Sequence, residues 1–112
     1  MKADAQALKG HLDTLLLASL ASLANGPRHG YAVQQALRTG SGARFDLPTG
    51  TIYPALRRLE AAGLVQGTWS QAGGRRRRTY ELTPAGRQRL RRDRAAWRDF
   101  AAAVSAILEP AR

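Results

Sequence analysis

Four side chains in one short stretch, Thr49, Thr51, Tyr53 and Arg57, supply hydroxyls, a phenol and a guanidinium. These are the groups that reach phosphate oxygens and base edges. Thr49, Tyr53, Arg57 and Glu60 fall on one helix face, while Ile52, Leu56 and Leu59 recur at spacings of four and three on another. An ordinary amphipathic surface helix would carry the same pattern, so the rest of the chain has to decide. Further on, Gly73 and Gly74 precede four arginines, Arg75 to Arg78. A charge run is usually a solvated surface, but four adjacent like charges at a hairpin tip repel one another unless a polyanion neutralises them. His29 and Tyr31 open an earlier helix and would approach a nucleic-acid backbone from the side. Tyr31 is equally a candidate for the core.

The same inventory argues against bond-making chemistry. There is no cysteine, and His11 and His29 are the only histidines. No Ser/His/Asp set or paired carboxylates stand out, so no catalytic residue is expected. The glycine-rich stretches lack the spacing of nucleotide-binding loops, so no cofactor is expected. His29 has no carboxylate cluster beside it, which argues for a capping or phosphate-contacting role and against a metal site.

Composition sets the class. The chain has 112 residues, enough for one domain with a modest core, and 44% of them are hydrophobic with 6% aromatic. Lysine and arginine number 18 against 8 acidic residues, a formal net charge of +10. Sixteen of the 18 are arginine, so not every arginine is a contact. A charge of this sign and size implies a polyanionic partner, nucleic acid ahead of a membrane surface. No apolar run reaches the roughly 18 residues of a membrane span. The N-terminal residues lack a signal-peptide pattern. With no cysteine to form a disulfide, a cytoplasmic protein is expected.

The elements that position these residues follow from periodicity. Leu8, Leu12, Leu15, Leu16, Leu20 and Leu23 predict a first helix over residues 5–24, weak at Gly10 and stopped by Asn25-Gly26-Pro27. Its apolar stripe is broad enough to serve a core on one side and a partner subunit on the other. Residues 29–39 predict a second helix, and 40–44 a flexible linker. Asp46 is a candidate cap for the third helix, which begins near Pro48 or Thr49 and ends at Gly63. Pro54 lies inside it, tolerated near the first turn and facing Gly50, which has no Cβ to crowd. Strands are expected at 64–70 and 78–83. Thr83-Pro84 then starts a last helix reaching about Leu108, Thr83 as cap and Pro84 at the first position. Along it Leu90, Trp97, Phe100, Val104 and Ile107 alternate by threes and fours, interrupted at Asp93. The order predicts a mainly α fold with a small β-hairpin. It reads as a winged helix-turn-helix over residues 1–83, with a long C-terminal dimerisation helix over 84–112.

The sequence resembles the PadR family of bacterial winged-helix transcriptional regulators. The likeness rests on Pro27-Arg28-His29-Gly30-Tyr31, on Gly50 to Glu60, on Gly63-Leu64-Val65, on Gly73 to Tyr80 and on Leu82-Thr83-Pro84-Ala85-Gly86. It extends over residues 8–108, and Thr51 to Gly63 is its most specific part. It looks like the compact subclass with one long terminal helix, and departs from the usual pattern at Pro48 and Thr49. The resemblance implies a homodimer, often a repressor, on a pseudo-palindromic double-stranded DNA operator. It also implies a small aromatic effector, with Trp97 where a drug-stacking tryptophan of such proteins would be.

The resulting assignments are specific. Thr49, Thr51, Tyr53 and Arg57 are expected at the groove, His29 and Tyr31 at the backbone, and Arg75, Arg76 and Arg77 on the wing. Leu12, Leu16, Trp97, Phe100, Val104 and Ile107 are expected at a dimer interface, and Leu12 and Leu16 also in the core. Trp97 is either plain interface or a ligand platform. A small basic RNA-binding or ribosome-associated protein is the rival reading. It explains the charge but not a long amphipathic terminal helix bearing Trp97 and Phe100.

Overall fold

Leucine and alanine at helical spacing, one two-glycine turn and one Thr-Pro start dictate most of the architecture. The computed structural model describes Leu8, residues 10–23 and residues 28–111. In chain order these give α1 (Leu12–Ser22), α2 (Gly30–Gly40), α3 (Thr49–Ala61), β1 (Val65–Ala72), β2 (Arg75–Leu82) and α4 (Pro84–Leu108). The mainly helical fold with one hairpin is the one the sequence predicts.

The predicted first helix is broken at Gly10: Leu8 before it is helical, and α1 starts at Leu12. Gly10 takes a φ of +86°, a conformation few other residues hold, and so turns the chain before Leu12. The expected stop at Asn25-Gly26-Pro27 lies outside the described residues. Leu16, Leu17 and Leu20 of α1 meet Val33 and Leu37 of α2, and Ile52, Ala55, Leu56 and Leu59 of α3. Val65, Tyr80 and Leu90 close the same core. Leu12, expected inside, is half-buried at its margin, as are Leu64 and Leu82. Leu17 and Tyr80 are fully committed to the core although neither was expected there.

The linker after α2 is a tight turn. Ala43 donates its amide to Arg38 O at 2.7 Å. Asp46 does not cap α3. It lies 3.7 Å from Arg38 Nε, and Pro48 is the capping residue, with no side-chain bond. Leu47 O is taken by the Gln34 amide group, which fixes the chain between Asp46 and Pro48.

The hairpin is longer and tighter than expected. Gly73 and Gly74 both have positive φ, 59° and 76°, as a two-residue primed turn requires, and the twist of such a turn matches that of the strands. The ladder therefore runs to the turn itself, Val65 opposite Leu82, Trp69 opposite Arg78 and Ala72 opposite Arg75. All four arginines lie within β2, none in a loop. A third short pairing was not foreseen: His29 bridges Thr79, and Tyr80 donates its amide to Arg28 O at 2.9 Å.

Helix α4 starts as its sequence dictates. Thr83 Oγ1 accepts from the Gly86 amide at 3.0 Å and donates to Gly63 O at 2.7 Å. A Cβ at Gly86 would stand 1.9 Å from Leu64 O, so only glycine lets α4 dock on this backbone. Asp93, which breaks the apolar seam, is a polar tie. It accepts from Thr14 Oγ1 at 2.7 Å and from Arg89 Nε at 3.1 Å, fastening α4 to α1.

Candidate nucleic-acid interface

The exposed side of α3 is built by its neighbours. With Ile52, Leu56 and Leu59 sunk in the core, Thr49, Thr51 and Arg57 are left exposed. Pro48 offers no side-chain acceptor, so the Thr49 and Gly50 amides stay outside the helical ladder at the positive end of the helix dipole. Arg57 makes no ion pair among the described residues, whereas Arg58 is spent on Asp13 of α1. Tyr53 is half-buried. Its ring lies over the start of α2, where a Cβ on Gly30 would come within 2.3 Å of Tyr53 Cζ. Tyr53 thus sets the spacing of α2 and α3 as well as flanking the exposed face.

His29 is the N-cap of α2, its Nδ1 accepting from the Ala32 amide at 3.3 Å. Its Nε2 stands 3.2 Å from Arg77 Nη1. A neutral imidazole has one acceptor nitrogen, and both neighbours are donors. Only one of the two contacts can be a hydrogen bond at a time. Burial first, and the Arg77 charge second, push the His29 pKa below its usual value. Tyr31 is exposed, 58%, and stacks on His29 with ring centres 6.4 Å apart, so it is not a core residue.

The four arginines divide between the two faces of the hairpin, as strand alternation requires. Arg75 and Arg77 share one face. Arg76 and Arg78 share the other with Trp69, whose ring lies 4.5 Å from the Arg76 guanidinium carbon and 5.3 Å from that of Arg78. Arg78 Nη2 reaches Glu60 Oε2 on α3 at 2.6 Å, and the Gly67 amide donates to the same oxygen at 3.3 Å. A Cβ on Gly67 would stand 2.9 Å from Arg78 Nε, so a glycine here lets the arginine lie flat across β1. Glu60, Arg78, Trp69 and Arg76 form a continuous ladder from α3 toward the hairpin tip. Helical periodicity groups Glu60 with Thr49, Tyr53 and Arg57, and does not show that it turns toward the hairpin. The one signal for the ladder is register: a two-residue turn at Gly73-Gly74 sets Trp69 opposite Arg78.

The residues expected at a subunit interface fall into two groups. Leu16 has no exposed surface, so it is core and has nothing to offer a second chain. Leu12 and Val104 are half-buried. Trp97, Phe100 and Ile107 are exposed, and Leu108 with them. Trp97 meets His11 edge-on at 5.4 Å and Phe100 at 6.0 Å. Together with Leu15 and Ala18 they line an apolar groove of about 750 Å³ between α1 and α4. Among the described residues there is no group of three potential metal ligands, and no helix is long and apolar enough to cross a membrane.

Residues 19–92 match the family described as Transcriptional regulator PadR-like family. The chain is 42% identical over 77 residues to a transcriptional regulator of Mycobacterium tuberculosis, covering 69% of this chain and 59% of the relative. It is 46% identical over 74 residues to an uncharacterised protein of transposon Tn4556 of Streptomyces fradiae, covering 66% of this chain and 20% of that protein. It thus spans only part of the length of these two curated relatives. The crystal structure of a PadR family transcriptional regulator from Eggerthella lenta superposes with a TM-score of 0.77 at 29% identity, covering 97% of this chain and 94% of that one.

Proposed function

This chain belongs to the PadR-like family of transcriptional regulators, and we propose that it acts as a cytoplasmic homodimeric repressor on a pseudo-palindromic DNA operator. Helix α3 enters the major groove with Thr49, Thr51 and Arg57, and Arg57 pairs with a guanine or a flanking phosphate. The wing, through Arg75, Arg76 and Arg77, holds the adjacent backbone. His29, Tyr31 and Tyr53 flank it at the start of α2.

The observation that carries this reading is the meeting of His29 and Arg77. Two donors and one imidazole cannot satisfy each other, but a phosphate accepting from His29 Nε2–H and from Arg77 leaves Nδ1 free to cap α2. Dimerisation is supported by the distal half of α4, where Trp97, Phe100, Ile107 and Leu108 face solvent as a nearly continuous apolar strip. The groove beside Trp97 is large and apolar enough for a planar aromatic effector whose binding releases the operator.

The test is fluorescence anisotropy with the DNA upstream of the protein's own gene, a scrambled duplex and a structured RNA, each across a salt series. Binding to the upstream DNA should persist at salt concentrations where the scrambled duplex has dissociated. Equal affinity for all three, vanishing together, would favour a charge-driven RNA binder. Trp97→Asp should yield monomers in analytical ultracentrifugation, and a surviving dimer would remove the interface assignment.

A further inference from the structure

Beside the Trp97 groove, with which it shares Leu90 and Arg94, a second recess of about 340 Å³ opens between α1, β2 and the first turns of α4. Its volume is at the low end of the range for small-molecule sites, about 300–1,000 Å³. The floor is aliphatic: Leu20 and Ala21 of α1, Leu82 of β2 and Leu90 of α4. Its charged lining comes from Arg28, Arg87, Arg91 and Arg94, and the one carboxylate is Glu81.

The charges there do not balance. Arg28 lies 3.7 Å from Glu81, and those two cancel. Arg87 donates from Nη1 to Leu82 O at 3.3 Å, which holds the head group beside the recess but leaves its charge uncompensated. Arg91 and Arg94 have no acidic partner among the described residues. Three positive charges therefore remain. They follow one another at spacings of four and three along α4, one helical stripe, and like charges so spaced repel. No acidic residue stands three or four positions from any of them to relieve this. The surface is concave, with carbon beneath and guanidinium forks around it.

We propose that this recess binds a small organic dianion of the phosphomonoester class. A guanidinium presents paired N–H donors whose spacing matches two oxygens of a phosphoryl group, and a charge of −2 against +3 uses the fork geometry fully. The aliphatic floor takes the organic part of the ligand. It offers nothing to hydrogen-bond a polyhydroxylated body. The recess takes no residue from α3 or from Arg75–Arg77 and shares only Leu90 and Arg94 with the apolar groove, and its walls come from both α4 and the winged-helix body, so an occupant braces one against the other.

The experiment titrates phenyl phosphate into the 15N-labelled full-length protein and follows amide and arginine Nε–Hε resonances. Inorganic phosphate, benzoate and sodium chloride at matched ionic strength run in parallel. Saturable shifts are expected at Arg87, Leu90, Arg91 and Arg94, with a melting temperature that rises with ligand concentration. Benzoate should bind about tenfold more weakly, having one charge and no third oxygen. The exposed pair Arg91→Gln with Arg94→Gln should weaken phenyl phosphate about tenfold or more while the ligand-free melting temperature holds. Arg91→Lys, which keeps charge but loses the fork, should fall between. Shifts reproduced by sodium chloride, shifts confined to Arg75–Arg77, or unchanged affinity in the double variant would overturn the site. Equal affinity for inorganic phosphate would overturn the organic class.

Discussion

Replacing Trp69 by alanine should weaken operator binding while leaving its salt dependence unchanged. The ring contributes no charge. It touches the guanidinium groups of Arg76 at 4.5 Å and Arg78 at 5.3 Å, and Arg78 is already held by Glu60. What the ring adds is the placement of Arg76 before DNA arrives. An exposed cation–π contact is worth about 0.5–1 kcal/mol. Immobilising one flexible side chain on binding costs about 0.5–1.5 kcal/mol. These are two views of one effect, so they are not summed. The expected loss is about 1 kcal/mol, roughly fivefold in Kd. Trp69→Phe should recover part of it, since the smaller ring keeps the stack with a weaker field. Arg76→Ala is the contrasting variant: it should lower affinity for all sequences alike and reduce the slope of log K against log salt by about 0.9, one phosphate's share. The ring is 57% exposed, so thermal unfolding of Trp69→Ala should move little. Anisotropy across a salt series reads both quantities. An unchanged Kd for Trp69→Ala would refute the positioning argument. A reduced slope would show that the ring's removal costs a phosphate contact, and a loss well above about 2 kcal/mol would mean that the ring itself touches DNA.

Other outcomes follow from the same contacts. Gly30→Ala should destabilise the fold by about 1–3 kcal/mol, because the new methyl meets the Tyr53 ring at 2.3 Å; a denaturation midpoint equal to wild type would show that the ring moves aside freely. Glu60→Gln should cost about 1 kcal/mol in denaturant unfolding, since it leaves Arg78 half-buried without its counter-charge, and no change would mean that solvent already compensates that arginine. His29 has a depressed pKa, so the unfolded chain takes its proton first. The stabilisation is present above about pH 6.5 and is lost as pH falls toward the lower folded value. His29→Asn still caps α2 but does not titrate; its melting temperature should fall less steeply than wild type below about pH 6.5, and parallel curves would remove the linkage. Arg57→Ala should cost about 1–3 kcal/mol and relax sequence preference if it reads a base; equal loss on every duplex would make it a phosphate contact.

Elements whose chemistry is local were legible in the sequence. Thr83-Pro84 started α4 where it was expected, and the two glycines at 73 and 74 gave the hairpin. Features decided across the chain were not legible. The leucine stripe of α1 cannot say which column faces inward, and α1 buries Leu16 and Leu17 side by side. Leu16 therefore could not be both core and interface. Gly10 looked like a weak helical position because propensity counts only its cost within a helix, while its φ of +86° makes it a turn.

The arginine run shows most clearly why composition stops short of a site. Read along the chain, Arg75 to Arg78 are four equal charges on a tip. Folded, the pleat sends Arg75 and Arg77 to one face and Arg76 and Arg78 to the other, and neighbours then separate them further. Arg78 is turned inward by Glu60, so its charge is compensated within the protein and it serves as a strut between α3 and the wing. Arg76 is held by Trp69, and Arg77 is set against His29 in a contact that only an outside acceptor resolves. The number of charges free for a polyanion is therefore smaller than the run suggests, and their spacing from α3 is fixed by a carboxylate that sequence periodicity assigned to the opposite role. That carboxylate ties the wing to α3, so on the proposed function a change at Glu60, which touches no DNA, should alter how well both fit an operator.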